Sequence, residues 1–548
     1  MRLRIINPPA SYQHVLSRLT AERVVDRIWA HDYTVWDPRP EEIANRLGWL
    51  DLPESMDSQL PRIHEFVESV RKDGFTHAVL LGMGGSSLAP ETLSQVFATR
   101  AGYPQLRILD STHPDSVRQA ADEFSGNKTL FIVATKSGTT TETLSLFRYF
   151  HRRTLASVGV DRVGERFIAI TDPGTPLAEI ASQQAFRDTF LNDPNLGGRY
   201  SALSMFGLVP AALLGLDVEA FLRIARSFAE LCSPATAVEN NPAVQLGSVL
   251  GAWAREGRDK ASILLSRPIE ALGDWIEQLL AESTGKDGTG IVPVLDTSLG
   301  RIESYGQDRV FIAVRMEVDP EMDSLVSRLE GEHMPIVAID TGDASELSEQ
   351  FYLWEFATAI ACHVLGVHPF NQPNVESAKR LAERVADESR RAGSPALLTT
   401  TRLSHQAISE FLSVALPGDY ISLHAYLPQT EGMTAALRSL QAAIRDRYEV
   451  AVTLGFGPRF LHSTGQLHKG DRGNGHFIQL VSEAMPDVPI PDSIGSADSS
   501  LTFGALITSQ AWGDRQALEN AGRPVLSLSI PERLSESIRA VATCLCGA

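Results

Sequence analysis

Apolar runs at 77–82, 105–110, 129–135 and 166–171 alternate with amphipathic stretches long enough for helices. Crossovers of that length join parallel strands, so the pattern predicts a sheet layered with helices. A mixed, mostly helical segment precedes these runs, and a helical bridge over 202–256 leads to a second set at 261–265, 309–314 and 335–339. The helical stretch Leu353 to Val367 closes that set. After Gly393-Ser394-Pro395, a plausible boundary, further runs occur at 420–427, 449–454, 477–481 and 524–529. Residues 485–500, rich in Pro, Asp and Ser, read as a loop. The predicted class is α/β: an N-terminal segment (1–60), two doubly wound parallel-sheet domains (61–230 and 231–392) and a C-terminal α/β block (393–548).

Two of the runs end in loops that suit an anion. The second passes from its strand into Thr135, Lys136, Ser137, Gly138, Thr139, Thr140 and Thr143, where a helix is predicted to begin. The first N–H groups of a helix lack intrahelical partners and lie at the positive end of its dipole, so hydroxyls gathered there make a pocket for a dianion. One hydroxyl would suffice as a plain cap. Here one Ser and four Thr fall within the seven residues 137–143, beside a Lys and a Gly. The first loop, Gly82-Met83-Gly84-Gly85-Ser86-Ser87, also matches half of a dinucleotide fingerprint, with Asp110 placed where a ribose hydroxyl would be met. A nicotinamide-dependent dehydrogenase is the rival reading; it gives no role to the Lys-Ser-Gly-Thr-Thr loop.

The chain of 548 residues carries a net charge of −18, which disfavours a nucleic-acid or anionic-membrane partner and requires local cations around any anionic substrate. Four cysteines, Cys232, Cys362, Cys544 and Cys546, are too few and too uneven for a disulfide scaffold. No stretch approaches the ~20 apolar residues of a membrane span, and Pro8-Pro9 interrupts any signal-peptide core. The expectation is a cytoplasmic protein.

Three positions could carry chemistry. Arg199 follows two glycines and would present a fixed cation, or it is a turn arginine on the surface. Glu282 lies where an apolar helical run gives way to Ser-Thr-Gly, so it could serve as a base, or pair with Lys286 at i,i+4. Lys379 could be functional or simply pair with Glu376.

The segments GMGGSS, TKSGTTTET, GGRYS, ESTGKDG and HPFNQPNVESAK, in this order, resemble the glucose-6-phosphate isomerases of bacterial type, which have two sugar-isomerase domains. RIWAHDYTVW, NRLGWL and GFGPRFLHSTGQLHKG are similar to the isomerase half of bacterial proteins in which transaldolase is fused to that enzyme. The resemblance implies interconversion of glucose 6-phosphate and fructose 6-phosphate through an enediolate, with no metal and no cofactor. It assigns Gly85, Ser86 and Thr135 through Thr140 to the sugar phosphate, Glu282 to proton transfer, Arg199 to the reacting carbons and Lys379 to the ring oxygen. It also implies a homodimer, and leaves open a link to a separate transaldolase, mannose 6-phosphate as substrate, and a noncatalytic sugar-phosphate sensor. The family's histidine after the glutamate is replaced by Glu303, but Leu461-His462-Ser463-Thr464-Gly465-Gln466 repeats the missing pattern further on. His462 is therefore the hypothesised ring-opening group, with His468 and Lys469 as second choices.

Overall fold

The computed structural model describes residues 1–124, 128–296, 299–316, 318–392, 398–483, 486–531 and 534–547. The proposed boundary at 393–395 lies outside them. The described strands form three five-stranded sheets and one small two-stranded ribbon.

The first sheet runs, in spatial order, Gln105–Leu109, His77–Leu81, Thr129–Ala134, Phe167–Thr171 and Asp188–Leu191, all parallel. Val79 to Leu81 and all six residues of Thr129–Ala134 are buried, as expected of strands covered by helices on both faces. The winding reverses between His77–Leu81 and Thr129–Ala134, and at such a reversal the loops beyond the carboxyl ends part to leave a crevice. The two glycine and hydroxyl loops leave from these two strands.

The second sheet is ordered Arg2–Ile6, Ile336–Thr341, Arg309–Met316, Lys260–Leu265 and Val292–Leu295. Arg2–Ile6 is its antiparallel edge, so the segment read as mostly helical contributes a strand to a sheet more than 300 residues away in sequence, Arg2 facing Asp340. The third sheet, Thr401–Arg402, Val525–Ile530, Gly475–Ser482, Tyr420–Tyr426 and Ala451–Phe456, is parallel throughout. With the edge strands Arg2–Ile6 and Thr401–Arg402 left out, the second and third sheets have the same winding.

The third block does not stand apart. Val488, Ile490, Leu501, Phe503 and Leu506 enter the core of the first sheet beside Phe147 and Phe150. Val292 and Val294 of the second sheet pack with Tyr420, Ala451 and Phe477 of the third. A larger core joins the N-terminal helices, the other face of the first sheet and the almost wholly buried helix Leu347–Leu365. At roughly 1.5–3 kcal/mol for each large apolar side chain buried, these shared cores weld the three sheets together. No helix among the described residues is long and apolar enough to cross a membrane. Cys232 and Cys362 are buried thiols and Cys544 and Cys546 exposed ones, none in a disulfide.

Candidate active site

A cavity of about 790 Å³ opens at the reversal point of the first sheet, where all three blocks meet. The hydroxyl loop forms one wall. Thr135 and Thr140 share a hydrogen bond of 2.7 Å between hydroxyls, and Ser137 and Thr139 another of 2.9 Å. Thr140 occupies the N-cap of the helix Thr141–Val158 but its side chain does not cap it, which removes the plain-cap reading. The helical ladder begins with Leu144 N donating to Thr140 O at 3.0 Å, so the N–H groups before it face the loop without a place in that ladder. Gly138 turns the loop at φ +70°, where a Cβ would lie 2.7 Å from Thr175 Cβ.

Lys136 donates to Asp172 Oδ2 at 2.5 Å, so its charge is largely balanced by the protein. Burial raises the Asp172 carboxyl above its ordinary range, against the pull of Lys136. Thr143 departs from expectation: it is fully buried, off the cavity wall, and its hydroxyl has no hydrogen-bond partner among the described residues. Its place in the first turn of the helix aims it inward rather than at the loop.

The first loop is compressed against two neighbours. Gly84, at φ +54°, would carry a Cβ 2.6 Å from His462 O, and a Cβ on Gly85 would stand 2.0 Å from Gly198 O. Both glycines are therefore spent on close protein contacts. Asp110 is also taken: Ser87 Oγ donates to it at 3.1 Å and Arg459 Nε lies 3.3 Å away. The dinucleotide reading loses its glycine approach and its ribose ligand together.

Glu282 stands at the end of the helix Leu272–Thr284 with both oxygens held. Arg199 Nη1 donates to Oε1 at 2.8 Å and Gln278 Nε2 to Oε2 at 3.1 Å. Arg199 is only 3% exposed and also donates to Ser283 Oγ (2.8 Å) and to the carbonyls of Pro369 (2.6 Å) and Asn371 (3.2 Å). It is a buried strut, not a surface arginine. The i,i+4 pairing of Glu282 with Lys286 does not form; Lys286 turns to His368 O (2.6 Å) and to Asn371 O (2.7 Å) and Oδ1 (2.9 Å). Burial, and then the nearby Arg199, bring the Lys286 ammonium down to about 7.

The third block's arm reaches the same cavity, His462 O accepting from Gln278 Nε2 at 2.8 Å. His462 Nε2 meets Glu142 Oε1 at 2.9 Å, and Gln510 Nε2 donates to the same oxygen at 2.6 Å. Burial pushes the Glu142 carboxyl up, but His462 beside it prevails and holds it below the usual range. Lys379 lines the cavity with its ammonium 3.2 Å from Glu376. Of the second choices, Lys469 reaches the wall in an ion pair with Asp514 at 2.7 Å. His468 is buried against His424 and Phe477, its pKa driven well down by desolvation. Glu303 lies exposed on a turn away from the cavity.

Thus Gly85, Ser86, Thr135, Lys136, Ser137, Thr139, Thr140, Arg199, Glu282, Lys379 and His462 share one cavity, which Gly138 shapes from outside. Glu142, Gln278 and Gln510 were missed. Gln278 and Gln510 are polar residues within long buried helices, whereas Glu142 reads locally as an ordinary first-turn acid.

The family model for phosphoglucose isomerase matches residues 53–308. A probable glucose-6-phosphate isomerase of Natronomonas pharaonis is 31% identical over 406 residues, covering 67% of this chain and 91% of its own length. The chain belongs to the phosphoglucose isomerase family. A hypothetical protein from Thermus thermophilus superimposes with a TM-score of 0.60 at 25% identity, over 70% of this chain and 99% of its own. A glucose-6-phosphate isomerase from Chlamydia trachomatis shares the fold, with a TM-score of 0.59 at 17% identity over 69% of this chain and 86% of its own. The family match includes Arg199 and Glu282 and stops before Lys379 and His462. The phosphoglucose isomerase match therefore leaves out the third block, which in this chain supplies the histidine of the cavity.

Proposed function

We infer that the chain interconverts glucose 6-phosphate and fructose 6-phosphate, an aldose–ketose isomerisation. The observation that carries this reading is the convergence of an uncapped helix N-terminus, a carboxylate held by a buried arginine and a histidine–carboxylate pair in one cavity. The phosphate sits against the Thr135–Thr140 loop and Ser86, where backbone N–H groups and hydroxyls accept a dianion although the chain as a whole is acidic. Anchoring that end fixes the reacting carbons relative to Glu282.

The sugar arrives as a closed ring. His462, with Nε2 committed to Glu142, has Nδ1 left for the ring oxygen, and protonation there breaks the hemiacetal, with Lys379 assisting. Glu282 then removes the proton from C2 of the open aldose, and charge grows on the carbonyl oxygen at C1. Arg199, fixed by four acceptors, faces that developing enediolate. Transfer of the hydroxyl proton from O2 to O1, with return of the carbon proton from Glu282 to C1, completes the ketose. The reverse sequence regenerates the aldose.

A coupled assay tests this: fructose 6-phosphate is supplied and glucose 6-phosphate is read through its dehydrogenase. Wild type turns over, and Glu282→Gln loses about 10²–10⁴-fold in kcat, the range of a lost general base. His462→Asn depresses turnover of cyclic substrate far more than of an analogue that cannot close its ring. Absence of conversion in both directions by the wild type refutes the reading.

A further inference from the structure

Beneath the cavity, one side chain the reaction does not use ties the third block to both of the others. Arg459 stands three residues before His462 on the turn Arg459–His462 and is 8% exposed. It forms ion pairs with Glu91 of the helix Leu88–Val96, with Asp110 at the end of the strand Gln105–Leu109 (3.3 Å), and with Asp274 of the helix Leu272–Thr284 (3.6 Å). Those three carboxylates belong to the two blocks that carry the phosphate loops and Glu282.

The third partner sets the geometry. Asp274, Gln278 and Glu282 are spaced by four residues, so they form one stripe along their helix, about 6 Å apart at each step. Arg459 pairs with the first, the carbonyl of His462 accepts from Gln278 at 2.8 Å, and Glu282 is the last. The arm is thus zipped along the same stripe that ends in the catalytic carboxylate. Without the guanidinium, Glu91, Asp110 and Asp274, with Glu277 close by in the adjoining 90 Å³ cavity, would face one another with Arg438 as the cation of that cavity. Burial already raises the Asp110 and Asp274 carboxyls, and without Arg459 they lose the cation that ties the arm to them.

We propose that Arg459 is a positioning residue for the isomerisation: it holds the arm so that His462 and Glu282 reach the same sugar from their two sides. The proposal rests on the isomerase reading, and turnover by the wild type is the control that separates failure of the one from failure of the other. In Arg459→Met, kcat for fructose 6-phosphate falls about 10- to 100-fold while KM stays within about twofold, because the phosphate loop is untouched. Turnover of an analogue lacking the hydroxyls for ring closure stays within about threefold, since that step bypasses His462. An equal loss on both substrates, or wild-type kcat on the cyclic one, overturns the proposal. Should Arg459→Met fail to fold, Arg459→Lys keeps one cation yet cannot span three carboxylates, and it is read by the same two substrates with the same deciding outcomes.

Discussion

Replacing Glu142 with glutamine isolates the charge of the histidine's partner. The side chain keeps its shape, so packing around this buried position is preserved. What changes is that one oxygen now serves both His462 Nε2 (2.9 Å) and Gln510 Nε2 (2.6 Å) as a carboxylate, whereas an amide offers a neutral oxygen on one side and an N–H₂ on the other. Hydrogen bonds to charged groups contribute about 1.5–3 kcal/mol, against about 1 kcal/mol for neutral ones. If that difference stabilises the imidazole as it passes its proton to the ring oxygen, its loss raises the barrier by about 0.5–2 kcal/mol, a fall in kcat of roughly 2- to 30-fold. The assay is steady-state turnover of cyclic fructose 6-phosphate compared with a non-cyclising analogue, with thermal denaturation as the check on folding. A Glu142→Gln enzyme within twofold of wild type on the cyclic substrate, or one that loses equally on both, refutes the role given to this pair.

Arg199→Lys leaves a cation but cannot reproduce four directed donations, so Glu282, Ser283 and two carbonyls lose partners; kcat/KM should fall at least about 10²-fold and stability by roughly 3 kcal/mol, measured by kinetics and urea titration. Gly85→Ala places a methyl 2.0 Å from Gly198 O, so the loop must part from the turn that carries Arg199; overpacking of this kind costs about 1–3 kcal/mol, visible as a lowered Tm together with reduced kcat. Lys286 supplies a test in pH. With its folded pKa brought from 10.5 to about 7, the unfolded chain binds the proton and the folded one does not between those values, so this group makes stability rise with pH across that window. The stability difference between wild type and Lys286→Met should therefore shift in favour of wild type by up to about 1.4 kcal/mol per pH unit between 7 and 10.5, and a flat difference in urea melts would contradict it.

The strands were legible because a strand covered on both faces must be apolar throughout, as in Thr129–Ala134, and that signal survives without knowledge of its neighbours. The hydroxyl loop was legible for a similar local reason: a helix start with unpaired N–H groups and several hydroxyls has few other uses. The edge strand Arg2–Ile6 was not, since its partner Ile336–Thr341 lies at the far end of two domains' worth of chain. Thr143 was assigned to the loop because it is near it in sequence, although one helical turn suffices to point a side chain the other way. Glu142, in that same turn, reads as an acid favoured at any helix N-terminus. Only the arrival of His462 and Gln510, 320 and 368 residues away, gives it specific partners.

By itself, then, the sequence determined the alternation of strands and helices, the loops able to receive an anion and the residue types available for proton transfer, because all of these follow from backbone sterics and burial within a few residues. The tertiary structure alone decided which of those residues face one another. Glu282, His462 and Arg459 come from two blocks whose approach is set by shared cores and by glycines that admit a backbone at van der Waals distance. Such contacts depend on the summed packing of surfaces remote in the chain, and no local pattern encodes their distance.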